Sequence, residues 1–280
     1  MFPLILTILC STSIALLLKH NDMQKGHPIL LLAGNYMIAS VISFGMMIRD
    51  SNATFYGPTL IFGALLAILF VFSFFAFARA ITAAGTALAA TSSRLSVVIP
   101  VLLSIVIYNE TPTTFQLNGF LFAFVTILLF YLSIRRMSRG TLQFKDYFYL
   151  FAVLAGIGCG DFCIKIFQQS RPISEKPLFL FSIFTFSFLY TAVIVFIRKI
   201  TIEKRTLIRG IILGVPNIFS TFFLIGALVQ LPAIIVYPAT NIGIIVLTTI
   251  SAVMFMHERL NRFGILALIS GIASIYFLTI

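Results

Sequence analysis

Ten stretches of this chain are each about 20 residues long and almost free of charge, and they leave it one kind of folded state. They run over residues 2–19, 28–48, 57–79, 83–109, 115–134, 147–168, 177–197, 207–229, 232–256 and 261–280. A helix of that length crosses the ~30 Å hydrocarbon core of a bilayer. Hydrocarbon offers no partner to a bare backbone N–H or C=O, and the runs lack the alternation of barrel strands, so each span must be helical. The expectation is an all-α integral membrane protein of ten transmembrane helices, with short connections and no extramembrane domain. The first run has neither a basic leader nor a small-residue cleavage site, and reads as a retained helix.

With 60% hydrophobic residues, 10% charged and a mean hydropathy of +1.10, an ordinary soluble domain is excluded. There are 31 Phe and no Trp, which leaves Tyr for the interfacial aromatic belt. The net charge of +11 is not a nucleic-acid footprint, because the basic residues fall in the short connections. Of the 19 Lys and Arg, fourteen lie in connections that follow an odd-numbered span. Three (Arg49, Arg171 and Lys176) follow an even-numbered one, and Arg94 and Lys165 sit inside spans. By the positive-inside rule the odd connections are cytoplasmic and both termini lie outside. Cys10, Cys159 and Cys163 all fall in apolar runs and imply no disulfide framework. Cys159 and Cys163 have no nearby His to complete a metal site, and no cofactor is expected.

The two halves carry matching landmarks. Lys19 and Lys165, each closing a span, are 146 positions apart; Glu110 and Glu258, each in a turn between the last two spans of its half, are 148 apart. This spacing argues for a duplication, with five spans in residues 1–140 and five in 141–280. An odd number per half inverts one half relative to the other, as in carriers that bind solute at the repeat interface.

Those features, five spans plus five, a Lys ending the first span of each half and a Glu turn before each last span, resemble the drug/metabolite transporter superfamily, in its ten-helix EamA-like branch. The second half carries the clearer form: Met256-His257-Glu258-Arg259-Leu260, then Gly264 and Gly271, is similar to the family's G-E-R-L turn and glycine-spaced final helix. His257 replaces the usual Gly, and Thr111-Pro112 follows Glu110 where Arg-Leu is common. The resemblance implies a carrier of small organic solutes working by alternating access, frequently outward. It also implies cytoplasmic termini, opposite to the charge count.

Arg94 is the foremost candidate, since a charge deep in hydrocarbon marks a functional site by default. It either anchors a substrate carboxylate or phosphate through its planar fork or forms a structural ion pair with Asp161. Asp161 and Lys165, four apart on the sixth span, either pair with each other or leave Asp161 as a proton-coupling carboxylate. Lys19 and Lys165 alternatively snorkel to the interface. Glu110 and Glu258 read as turn carboxylates that cap the helix after them. Pro100, Pro216 and Pro238 are expected to kink the fourth, eighth and ninth spans. Ser92, Ser93 and Ser96 on the fourth span, and Tyr237, Thr240 and Asn241 on the ninth, are candidate cavity walls, joined by Asn35 and Tyr36 on the second and Asn217 beside Pro216. Gly156, Gly158 and Gly160 lack the strand of a dinucleotide loop and read as close helix packing.

No carboxylate lies in the first span, where small multidrug carriers of the superfamily place a proton-exchanging glutamate, and no Trp exists for a cation cage. The positive centre of Arg94, Lys165 and Lys19 favours anionic or zwitterionic solutes. The expected function is a secondary transporter, not an enzyme, exporting a small polar metabolite across a bacterial-type inner membrane. Its partners are the substrate, the lipid bilayer and a proton as coupling ion, with no nucleic acid, and it works as a monomer. A hydrophobic-compound exporter is the rival within transport. A lipid-acting membrane enzyme is the rival outside it, although His20, His27 and His257 are too dispersed to form a catalytic cluster.

Overall fold

A computed structural model describes residues 1–24, 26–50, 55–84, 86–135, 144–256 and 261–280. The turn His257-Glu258-Arg259-Leu260 therefore lies outside the described residues, as do Lys25, Gly85, Arg136 and Arg139. Among the described residues the secondary structure is helical throughout, in eleven α-helices and one 3₁₀ turn. These are α1 Phe2–Met23, α2 Pro28–Arg49, α3 Gly57–Ala84, α4 Thr86–Leu95, α5 Val98–Tyr108 and α6 Thr114–Arg135, followed by α7 Phe144–Ser170, α8 Lys176–Ile197, α9 Lys204–Gln230, α10 Ala233–Met256 and α11 Arg262–Thr279. Ten helical spans, with α4 and α5 counting as one, are long and apolar enough to cross a membrane. The protein is an all-α, multi-pass integral membrane protein. Several helices outrun the apolar stretches that announce them, α1 by four residues at its end and α7 by three at its start, because polar side chains at the rim do not stop a helix.

The bundle is built from close helix pairs. α2 packs between α8 and α9, α3 between α7 and α8, α1 against α9 and α10, and α6 against α11. α10 runs through the middle, touching α1, α5, α6 and α11. Without a hydrophobic driving force between helices in lipid, such pairs depend on backbone approach at small residues. At the α2–α9 crossing a Cβ on Gly210 would lie 2.2 Å from the Leu31 carbonyl oxygen, and one on Gly34 2.6 Å from that of Leu207. The apolar centre gathers Phe167, Phe179, Phe184, Ile183 and Tyr237, all at most 2% exposed. Phe167 of α7 stacks flat on Phe179 of α8, with centroids 3.8 Å apart.

The fourth span departs from the continuous kinked helix expected over 83–109. It breaks at Ser96–Val97 into α4 and α5. Pro100 has no N–H for the carbonyl four residues back, that of Ser96, so the interruption falls one turn before the proline. The Ser96 carbonyl accepts instead from Ile99 N–H at 3.1 Å, and Val97 N–H turns to the Arg94 carbonyl at 3.4 Å. Pro216 and Pro238 produce no such break: α9 and α10 each pass through their proline as one helix.

Candidate functional site

Three helices converge on the break. α7 leans against it at Gly158, where a Cβ would lie 2.7 Å from the Ser96 carbonyl oxygen. Asp161, three residues further along α7, shares that face and is brought to the same level. α10 is tied there too, because the Tyr237 hydroxyl donates to the Asp161 backbone carbonyl. One turn beyond Tyr237 stands Asn241, whose Nδ2 donates to the Tyr237 carbonyl at 3.1 Å. This fixes the amide with its oxygen outward, and Arg94, in the last turn of α4, donates from Nη1 to that Oδ1 at 3.4 Å.

The arginine is lightly held. A bond of 3.4 Å lies outside the 2.7–3.2 Å of a firm N–H···O contact. Arg94 and Asp161 lie within electrostatic reach, but no ion-pair contact joins them, so the structural pair expected as an alternative is not formed. Both side chains remain partly accessible inside a bundle where Tyr237, Thr240 and Asn241 are all buried. The Thr240 hydroxyl is buried without a hydrogen-bond partner.

Lys165 does not pair with Asp161 either. It turns the other way along α7, to Glu110 Oε1 at 3.1 Å, with Gln168 Oε1 also at 3.1 Å and the Tyr108 ring centroid at 5.5 Å. Glu110 likewise does something the sequence did not suggest. The helix after it needs no help, because Thr113 and Gln116 form a reciprocal capping box: Gln116 N–H donates to Thr113 Oγ1, and Thr113 N–H donates to Gln116 Oε1. Asn109, in the left-handed region at φ 52°, turns the chain instead so that Glu110 reaches α10. There its two oxygens accept from Ala233 N–H at 3.1 Å and Ile234 N–H at 2.9 Å, at the positive end of that helix. One carboxylate thus joins the end of α5, the end of α7 and the start of α10. Tyr108 and Gln168 are the residues that sequence reasoning missed, and Glu110, expected to cap the helix after it, caps α10 instead. The near-equal spacings of the Lys and Glu landmarks were the available signal, since they hinted that a Lys of one half meets a Glu of the other.

The remaining candidates serve other contacts. Ser92 Oγ donates to the Leu150 carbonyl of α7, and with Thr91 it lines a cavity of about 340 Å³ bounded by Leu95, Ile127 and Tyr131. Ser96 donates to the Ser93 carbonyl within the break. Asn35 Oδ1 accepts from Asn217 Nδ2 at 3.1 Å across the α2–α9 interface, and Tyr36 packs 6.4 Å from Phe184. Lys19 stays in the last turns of α1, half-buried.

Comparison with known proteins agrees with this architecture. The sequence model of the EamA-like transporter family matches residues 1–132. The match thus falls on the first five spans, not on the half whose turn motif carried the clearer resemblance. A Haemophilus influenzae protein, itself described only as uncharacterized, is 28% identical over 290 residues, covering 99% of this chain and 98% of that one. A solved crystal structure superposes with a TM-score of 0.80 at 15% identity, over 99% of this chain and 95% of the other, which shows a shared fold. Over its first five spans this chain is similar to the EamA-like transporter family, the similarity that the sequence resemblance implied.

Proposed function

We propose that the protein is a secondary active transporter that moves a small anionic or zwitterionic organic solute by alternating access, in the direction of export. The observation that carries this reading is Arg94: a guanidinium at the end of a half-span, partly accessible, held by a single long bond to Asn241. Five N–H donors in a fork suit a carboxylate or phosphate, and binding one requires giving up only that bond. Asp161, in electrostatic reach of the same guanidinium, is the group through which a proton is coupled: its protonation removes a negative charge that repels the incoming anion.

The reading extends to a duplication of residues 1–140 and 141–280. Exchanging each span for the one five later turns the α1–α9 contact into α7–α3, α2–α9 into α8–α3, and α10–α11 into α4–α6, all of which are present. Arg94 and Asn241, the two that touch, are 147 positions apart, between the two landmark spacings. Alternating access then rocks the halves about this contact. The Glu110 cluster fastens the face of the even-numbered connections, which supports a state closed on that face.

Counterflow in proteoliposomes tests this, with labelled amino acids, organic anions and lipophilic cations for wild type and Arg94→Gln. One anionic or zwitterionic solute should exchange, and the substitution should lower its flux at least a hundredfold, as expected when a ligand's charge partner is lost. Movement of lipophilic cations, or normal flux through Arg94→Gln, overturns the reading.

A further inference from the structure

A second site lies on the outside of the bundle. α3, α7 and α8 enclose a groove of about 600 Å³ whose walls are almost wholly apolar. Ile68, Phe72 and Phe148 are at least half exposed along it, so it opens on the lipid. Its one polar end carries two arginines. Arg79 closes it from α3, and Arg198, the C-cap of α8, closes it from across the groove. Phe75 stands one turn before Arg79 on the same face, and the Arg198 guanidinium lies over its ring at 4.9 Å. Both cations thus line the same end of the groove, and Arg198 is braced on Phe75.

The Arg198 end is fixed by backbone chemistry. α8 terminates with Lys199 in the left-handed region at φ 49°, Ile200 N–H bonding back to the Val195 carbonyl and Lys199 N–H to that of Phe196. This is a helix stop that normally takes Gly. It sets Arg198 at a defined height against the groove. Among the described residues neither arginine has a carboxylate partner within ion-pair distance.

We infer that this groove is a binding site for one anionic phospholipid, its acyl chain along Ile68, Phe72 and Phe148 and its phosphate between Arg79 and Arg198. The charge complement selects the occupant: an apolar trough ending in two arginines without a carboxylate partner fits a molecule with a hydrocarbon tail and an anionic head, and basic pockets between membrane helices are where such heads bind. The site lies in the leaflet of the odd-numbered connections, which carry most of the positive charge. It touches none of the residues around Arg94, so it stands whether or not the transport reading does.

Native mass spectrometry of the full chain in detergent tests it, with phosphatidylglycerol and phosphatidylcholine of identical chains. Wild type should retain one phosphatidylglycerol in preference to phosphatidylcholine. Two arginine contacts removed in Arg79→Gln/Arg198→Gln should weaken this about thirtyfold. Arg79→Lys/Arg198→Lys should keep it within about threefold, which separates lost charge from lost folding. Arg49→Gln/Arg171→Gln, on the opposite face, should leave it unchanged. Equal retention of both lipids, an unaffected Gln double variant, or displacement by glycerol 3-phosphate at lipid-equivalent concentration overturns the inference, the last by marking a site for soluble anions.

Discussion

The fourth and ninth spans, counterparts under the proposed duplication, have diverged in what they do. The fourth is split at Ser96–Val97, with 28% of its apolar stretch buried inside the protein. The ninth is one unbroken helix with 78% of its stretch buried. Each contains a proline, yet only Pro100 coincides with a break. Pro238 sits in the first turns of α10, where the carbonyl it orphans, that of Ile234, neighbours the end that Glu110 holds. Under the proposed alternating access the difference assigns the ninth span to scaffold and the fourth to moving part, with Arg94 on the broken span and Asn241 on the continuous one.

Substitutions can break or sharpen this contrast. The largest effect is expected at the junction of the two spans. Glu110→Ala strips α10 of its cap and leaves Lys165, 5% exposed, without its countercharge, so thermal unfolding in detergent should show a loss of about 3–5 kcal/mol. Adding Lys165→Met to it should restore much of that. Leu247→Pro places a proline at the counterpart of Pro100 and orphans the Gly243 carbonyl in a helix that cannot yield, since a Cβ at Gly243 would already meet Ile8 at 2.7 Å. Its expected cost is about 3 kcal/mol, and a tolerated variant would show α10 to be as pliant as the fourth span. Gly158→Val pushes α7 off the Ser96 carbonyl and should destabilise by about 1–3 kcal/mol while slowing transport. Pro100→Ala is expected to be the mildest: residue 100 regains an N–H that can bond the Ser96 carbonyl in regular α-helical register in place of the tight Ile99 bond, stability rises by about 1 kcal/mol, and turnover, measured as exchange rate at saturating solute, falls several-fold as the hinge stiffens.

Ten helices were legible because length and apolarity alone decide what a membrane admits. Arg94 was legible for the same reason, as the charge that hydrocarbon penalises. The partners were harder to read. Asp161 and Lys165 are four apart and invite pairing, but a long lysine on a helix can turn toward either end, and Glu110 offers it a carboxylate already fixed by two backbone N–H groups. The break was visible as Pro100 yet falls at Ser96, because the missing donor acts at a distance of four residues. Asn35 and Tyr36 looked like cavity residues since they are polar within a span; their burial between α2, α8 and α9 follows from glycines on a helix far away in sequence.

Glu110 has a consequence for the membrane itself. Its two oxygens meet donors from two other spans, so drawing α10 away from α5 strips the backbone contacts, and drawing α7 away strips the ion pair. In the proposed alternating access, a rocking half that carries α7 and α10 together would lose all three at once. On that proposal the seal releases as a single event rather than contact by contact. A carrier in an energised membrane can in this way change faces without short-circuiting the potential across it.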